Sequence, residues 1–110
     1  ADTGEIPPRC PHCGGYLRPD LVWFGEMLSH DTLHRAFNVA RAADVFLTVG
    51  TSGIVQPAAS LPLEAVERDA PVAEINPEQT PLTPWMTYSL RGLSGLILPQ
   101  LVERTWPDAK

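Results

Sequence analysis

The chain has no cluster of lysine or arginine: its eight basic residues are scattered among thirteen acidic ones, for a formal charge of -5. The phosphate-tracking stripe of a nucleic-acid binder is therefore missing, and nucleic acid is not expected as a partner. No apolar run approaches the roughly 20 residues that a membrane span needs, so no membrane association is expected. Ala1 to Pro8 lack the basic and apolar segments of a secretory leader, and the chain reads as untargeted and cytoplasmic. Cysteine is scarce. The two present, Cys10 and Cys13, sit too close together to staple a fold as disulfides do in small secreted domains, which points to a reducing compartment. Charged residues make up only 19% of the chain against 44% apolar, a balance that excludes a disordered tail. There is no internal repeat and no GxGxxG pattern. What the sequence holds in excess is proline, twelve in 110 residues, placed as punctuation between segments. That length supports one hydrophobic core, hence one domain or part of one.

The order of elements follows from the breakers and the apolar periods. Residues 1–19 combine Gly4, Pro7, Pro8, Pro11, Gly14, Gly15 and Pro19 with both cysteines and read as a loop built around the thiols. Leu21-Val22-Trp23-Phe24, between Pro19-Asp20 and Gly25, has the composition of a short buried strand, with Trp23 and Phe24 expected in the core. A helix capped by Ser29 or Asp31 is predicted through Ala43, with Leu33, Ala36, Phe37 and Ala40 facing inward. Asp44 to Val49 reads as a strand covered on both faces, stopped by Gly50. A second helix is expected from Pro57 or Ala58 to about Arg68, with Pro62 producing a kink or a late start. Pro71 to Ile75 gives another strand and Thr87 to Leu90 a last short one. A closing helix spans Ser94 to Thr105, with Leu98, Leu101 and Val102 inward. Alternating strands and helices at these spacings predict an α/β fold: half of a doubly wound, Rossmann-like parallel sheet flanked by helices, over residues 20–110.

In such sheets ligands bind at the carboxyl ends of the strands, so the segments Gly25-Glu26, Gly50-Thr51-Ser52-Gly53 and Asn76 are the places to look. Gly50 and Gly53 allow close backbone approach, the Thr51 and Ser52 hydroxyls can donate to phosphate or ribose, and a helix starting near Pro57 would offer free N–H groups. The same residues also suit an ordinary tight turn. Asn76 can serve a ribose diol or simply form a turn. Glu26 lacks a partner that would make it a general base and reads as a solvated or capping acid. Cys10-Pro11-His12-Cys13-Gly14-Gly15 is a CxxC knuckle able to supply half the ligands of a tetrahedral zinc site, making residues 1–19 a partial zinc-binding loop. A thioredoxin-like redox role ranks lower, because Gly14, Gly15 and Pro19 prevent the helix that would activate the thiol.

Taken together, CPHCGGYLRPDLVWFGE (Cys10 to Glu26), VGTSGIVQPAA (Val49 to Ala59) and PVAEIN (Pro71 to Asn76) resemble, in order and spacing, the C-terminal part of sirtuins, with wording closest to the class III branch. The resemblance implies an NAD-dependent protein-lysine deacylase, acting on acetyl and, in that branch, succinyl or malonyl groups. By resemblance, Cys10 and Cys13 are one pair of a four-cysteine structural zinc site. Gly50, Thr51 and Ser52 line the NAD phosphate and ribose region, Asn76 holds the adenine-side ribose, and Arg91-Gly92 closes over adenine. The backbones of Val22, Phe24, Gly25 and Glu26 on one side and of Gly53, Ile54 and Val55 on the other clamp an acylated-lysine peptide as an added strand.

The family's pyrophosphate loop, its general-base histidine and its other cysteine pair have no counterpart among these residues, since His12, His30 and His34 all lie within or after the second pair. The chain is therefore expected to be a C-terminal fragment, inactive alone and without a catalytic residue of its own. The competing expectation is a zinc-knuckle α/β module that binds without turnover.

Overall fold

A computed structural model of the chain describes residues 6–107. The loop expected over residues 1–19, Gly4 included, is thus seen only from Ile6 onward, and residues 1–5 lie outside the described part. Helix α1 spans His30–Arg41. Ser29 caps it, its hydroxyl accepting from the Thr32 amide at 3.4 Å, while Asp31 in the first turn and Arg41 in the last complement the helix dipole. Ala40 is buried at 2% exposure and Leu33, Ala36 and Phe37 are half-buried, which is the inward stripe read from the sequence.

Strand β1 is Phe46–Val49, and a 3-10 turn over Ala58–Ser60 leads into helix α2, Leu61–Val66. The single helix expected from Pro57 to Arg68 is thereby shortened. Pro62 falls in the first turn of α2, where a missing N–H breaks no bond, so a late start takes the place of a kink. Asp69 ends the segment at φ 59°, in the left-handed region that Asp tolerates. Strand β2 is Val72–Asn76, a 3-10 turn covers Thr83–Trp85, strand β3 is Tyr88–Arg91 and helix α3 is Ser94–Thr105. Pro99 lies inside α3 and removes one backbone bond without ending it. Leu98 and Leu101 are half-buried, but Val102 is 47% exposed and so not the inward residue expected.

The three strands are parallel in the order β1-β2-β3, with Thr48, Glu74 and Ser89 in register and Asn76 beside Arg91. This is the Rossmann-like half-sheet expected. Period two along each strand puts Phe46, Thr48, Val72 and Glu74 on one face and Leu47, Val49, Ala73, Ile75 and Leu90 on the other. Residues of α1, Phe46 and Leu61 line one groove, so α1 and the start of α2 cover the first face. The second is partly open: Leu47 is 45% exposed. The expectation that β1 is covered on both faces is corrected accordingly, since both neighbouring helices pack on the same side of it.

A larger correction concerns Leu21 to Phe24. They form no strand; Trp23 is 55% and Phe24 91% exposed. A β-rich composition becomes a strand only with a pairing partner, and β1 is bonded to β2 alone among the described residues.

Ile75, fully buried on the central strand, should be the costlier truncation. Ile75→Ala is expected to lower unfolding free energy by about 2–5 kcal/mol, and Leu47→Ala by well under half of that, in urea denaturation monitored by far-UV circular dichroism.

Candidate functional site

Parallel strands end at one edge, and there three loops meet. The Gly50 amide donates to the Ile75 carbonyl at 2.9 Å, continuing the β1–β2 ladder by one residue. The Asn76 side-chain amide donates to the Thr51 carbonyl at 2.7 Å, and its Oδ1 accepts from the Glu78 amide at 3.2 Å. Arg91 Nη1 donates to the Glu78 and Asn76 carbonyls at 2.6 and 3.4 Å, and the Gly92 amide reaches the Asn76 carbonyl. Gly50, Thr51, Asn76, Arg91 and Gly92 are therefore brought to one rim. Ser52, between Thr51 and Gly53, is exposed.

Gly53 has φ +67°, and a Cβ there would lie 2.9 Å from two carbons of Leu82. Only glycine fits both the backbone and the space. Its amide donates to the Thr51 hydroxyl at 3.3 Å. Gly53 thus belongs to the rim's foundation, packed under the loop that follows β2. The helix end expected near Pro57 is altered as well: the Ala59 and Ser60 amides are already bonded to the Val55 and Pro57 carbonyls, so the free donors anticipated there are largely used internally.

A second concavity adjoins the loop ahead of α1. Leu21 to Leu28, with His30 and Leu33, form one wall of an apolar groove of about 660 Å³, and Val55, Gln56 and Pro57 form the other. Val22, Phe24, Gly25, Glu26 and Val55 line it; Gly53 and Ile54 do not. Glu26 is a brace: it accepts from Arg18 at 3.1 and 3.3 Å and from the Trp23 amide at 3.1 Å. The Arg18 guanidinium, then the Trp23 amide, hold its carboxyl below the usual range. Of the two roles read from the sequence, Glu26 takes that of an exposed loop acid, since the cap of α1 is Ser29.

At the N-terminal end the chain doubles back, with Arg9 bridging Tyr16, the Cys10 amide donating to the Gly15 carbonyl at 2.8 Å and the Gly14 amide to the Cys10 carbonyl at 2.9 Å. Cys10 and Cys13 are free thiols on this turn. The backbone amide of His12, then that of Cys13, draws the Cys10 thiol below its ordinary pKa. The pair suits two positions of a metal shell; among the described residues no third His, Cys, Asp or Glu gathers with them.

The residue that sequence reasoning passed over is Glu74, 2% exposed inside β2. Its Oε1 accepts from the Thr80 hydroxyl, and its Oε2 accepts from the Thr83 hydroxyl at 2.6 Å and from Arg91 Nη2 at 2.7 Å. Burial alone would push its pKa up; the two hydroxyls and the guanidinium outweigh that and leave it lowered. One signal was available: a lone acid in an otherwise apolar strand requires partners, and Thr80, Thr83 and Arg91 are the hydroxyls and cation downstream.

A family model described as the Sir2 family matches residues 2–57. Over 100 residues the chain is 54% identical to NAD-dependent protein deacylase 1 of Archaeoglobus fulgidus, covering 89% of this chain and 41% of that protein. It is also similar to a Sir2 homologue solved as a complex with NAD, with a TM-score of 0.81 and 51% identity over 91% of this chain and 39% of the other. A third likeness is to Sir2Af2 bound to a myristoylated histone peptide, with a TM-score of 0.81 and 38% identity over 92% of this chain and 43% of that one. The chain spans about 40% of the length of these relatives.

Because the Glu74 carboxyl is more acidic folded than unfolded, the unfolded chain takes up its proton first as pH falls. The stability it contributes is complete above about pH 5 and is lost as pH drops through the lowered folded value. Thermal melts between about pH 6 and pH 3 should show a shallower acid limb in Glu74→Gln than in the parent chain.

Proposed function

The chain belongs to the Sir2 family, and from that membership we propose that it carries the nucleotide rim and peptide groove of an NAD-dependent protein-lysine deacylase. The observation that carries the reading is the meeting of Gly50, Thr51, Asn76 and Arg91 at the carboxyl edge of one parallel sheet, the place where open α/β sheets take dinucleotides. Gly50, Thr51 and Ser52 would face the phosphate and ribose, Asn76 the adenine-side ribose, and Arg91 and Gly92 the adenine. When bound, NAD supplies the electrophilic ribose carbon that accepts the acyl oxygen; the residues here bind and orient it.

The apolar groove is the proposed seat of an extended acyl-lysine peptide. In its wall the Val22 to Glu26 segment belongs to no strand among the described residues. Its Trp23 and Glu26 amides are held within the turn by the Glu26 carboxylate and the Trp23 carbonyl, and the rest of its backbone is the side to which a peptide strand would add. Gly53 and Ile54 lead into Val55 and set that side of the groove without lining it. A class III preference for succinyl or malonyl groups, and a cytoplasmic location, remain part of the same proposal.

The proposed zinc would be structural, held by Cys10 and Cys13 together with ligands outside the described residues. Support comes from the tight turn between the thiols and from backbone N–H groups that favour a thiolate at Cys10.

The enzyme reading is tested in a hybrid in which this chain replaces the matching segment of the Archaeoglobus fulgidus deacylase. The hybrid should remove acyl groups from a lysine peptide only when NAD is present, while the 110-residue chain alone should not; a folded hybrid that binds peptide without turnover would favour the binding-module alternative. Elemental analysis of the hybrid should find about one zinc per chain. Cys10→Ser should remove most of it, and retention of full zinc by that variant would exclude Cys10 as a ligand.

A further inference from the structure

Three loops that would touch the dinucleotide converge below the rim on one buried group. We infer that Glu74 is a positioning residue for the nucleotide rim, its carboxylate fixing Thr80, Thr83 and Arg91 and through them the 50–53, 76–83 and 91–92 segments. This rests on the reading of the rim as the NAD site.

Two positions along the same face from Asn76, Glu74 accepts from three donors at once. Each is tied onward. Thr83 Oγ1 donates to Glu74 while accepting from the Thr80 amide at 2.9 Å and from Arg91 Nη2 at 3.1 Å. Thr80 Oγ1 also accepts from the Leu82 amide at 3.2 Å, and Leu82, 6% exposed, is the side chain against which Gly53 is pressed. Arg91 uses its other nitrogen on the Glu78 and Asn76 carbonyls. The 76–83 loop and Arg91 are thus bonded directly to this carboxylate, and the 50–53 loop is reached through the packing of Leu82 on Gly53 and through Arg91 and Asn76 to the Thr51 carbonyl.

The chemistry requires an ionised acid. A carboxylate has lone pairs enough for two hydroxyls and a guanidinium, whereas Gln offers one acceptor oxygen and would turn an N–H₂ group toward donors. Stability alone does not ask for a charge here, since a well-packed aliphatic side chain in a strand is commonly as stabilising as a buried ion pair. What an aliphatic residue would lose is the fixed geometry of the loop after β2 and of the Arg91 side chain. Small displacements of groups that hold a ligand have large effects on its binding.

The test uses the hybrid described above with Glu74→Gln, Thr83→Val, Thr83→Ser and, as a remote control, Arg41→Gln, which severs the Arg41–Glu64 pair between α1 and α2. Glu74→Gln and Thr83→Val should raise the KM for NAD by roughly tenfold, leaving the KM for acyl-peptide within about twofold. Thr83→Ser keeps the hydroxyl and should stay near the parent. Arg41→Gln should lose thermal stability with an unchanged KM for NAD. If Glu74→Gln or Thr83→Val folds with a parental KM for NAD, or raises both KM values alike, the positioning role is overturned while the enzyme reading stands. If the parent hybrid neither turns over nor binds NAD, both fall. Should Glu74→Gln fail to fold, Thr83→Val, which removes a single hydroxyl, decides the matter.

Discussion

The central strand β2 is the constraint on which the rest of this structure depends. It is the only strand paired on both sides among the described residues, and Val72, Glu74 and Ile75 along it are the most fully buried large side chains. Its parallel ladders to β1 and β3 force the three strands to end together. A loop leaving β1 and a turn leaving β3 are thereby brought against Asn76, although Thr51 and Arg91 are far apart in sequence. Slipping either neighbour by one residue would turn Thr48 and Ser89 away from Glu74 and separate Asn76 from Arg91. Site geometry and strand register are the same fact seen at two scales.

The parts of this arrangement legible in the sequence were those governed by local rules. Ser29 capping α1, the alternation of strands and helices, the stop at Gly50 and the limits of α3 all follow from propensity, period and capping, and they stand in the structure. Elements whose state depends on a distant partner were misread. Leu21 to Phe24 has the composition of a buried strand but lies exposed beside a groove, because composition cannot say whether a neighbouring strand exists. The Pro62 helix began late because a proline is most easily placed in the first turn, a preference that a continuous apolar pattern masks.

The rim was legible as a set of strand ends, yet its supports were not. Asn76 and Thr51 could be named from their positions, whereas the bond between them depends on the β1–β2 register. Glu74 could be noticed only by asking what a single acid does inside an apolar strand. The answer needed three residues from a loop and a strand still to come. Gly53 was read as a residue that lets a ligand approach; its neighbour is Leu82, so its conformational freedom serves the packing of the protein itself.

A lowered thiol pKa at Cys10 fits either metal binding or redox chemistry, and the backbone around it separates the two. A redox thiolate of the thioredoxin kind draws its acidity from the start of a helix that buries the partner thiol. Here a turn follows Cys10, Gly14 takes φ +71°, and the chain returns antiparallel from Arg9 to Tyr16. The amides of His12 and Cys13 point at the Cys10 sulfur from within that turn, and Cys13 is exposed. Two thiols held open on a short hairpin can share one cation at little conformational cost. As a dithiol they lack the helix that would distinguish an attacking sulfur from a resolving one, and this difference in backbone argues against redox turnover of the thioredoxin kind.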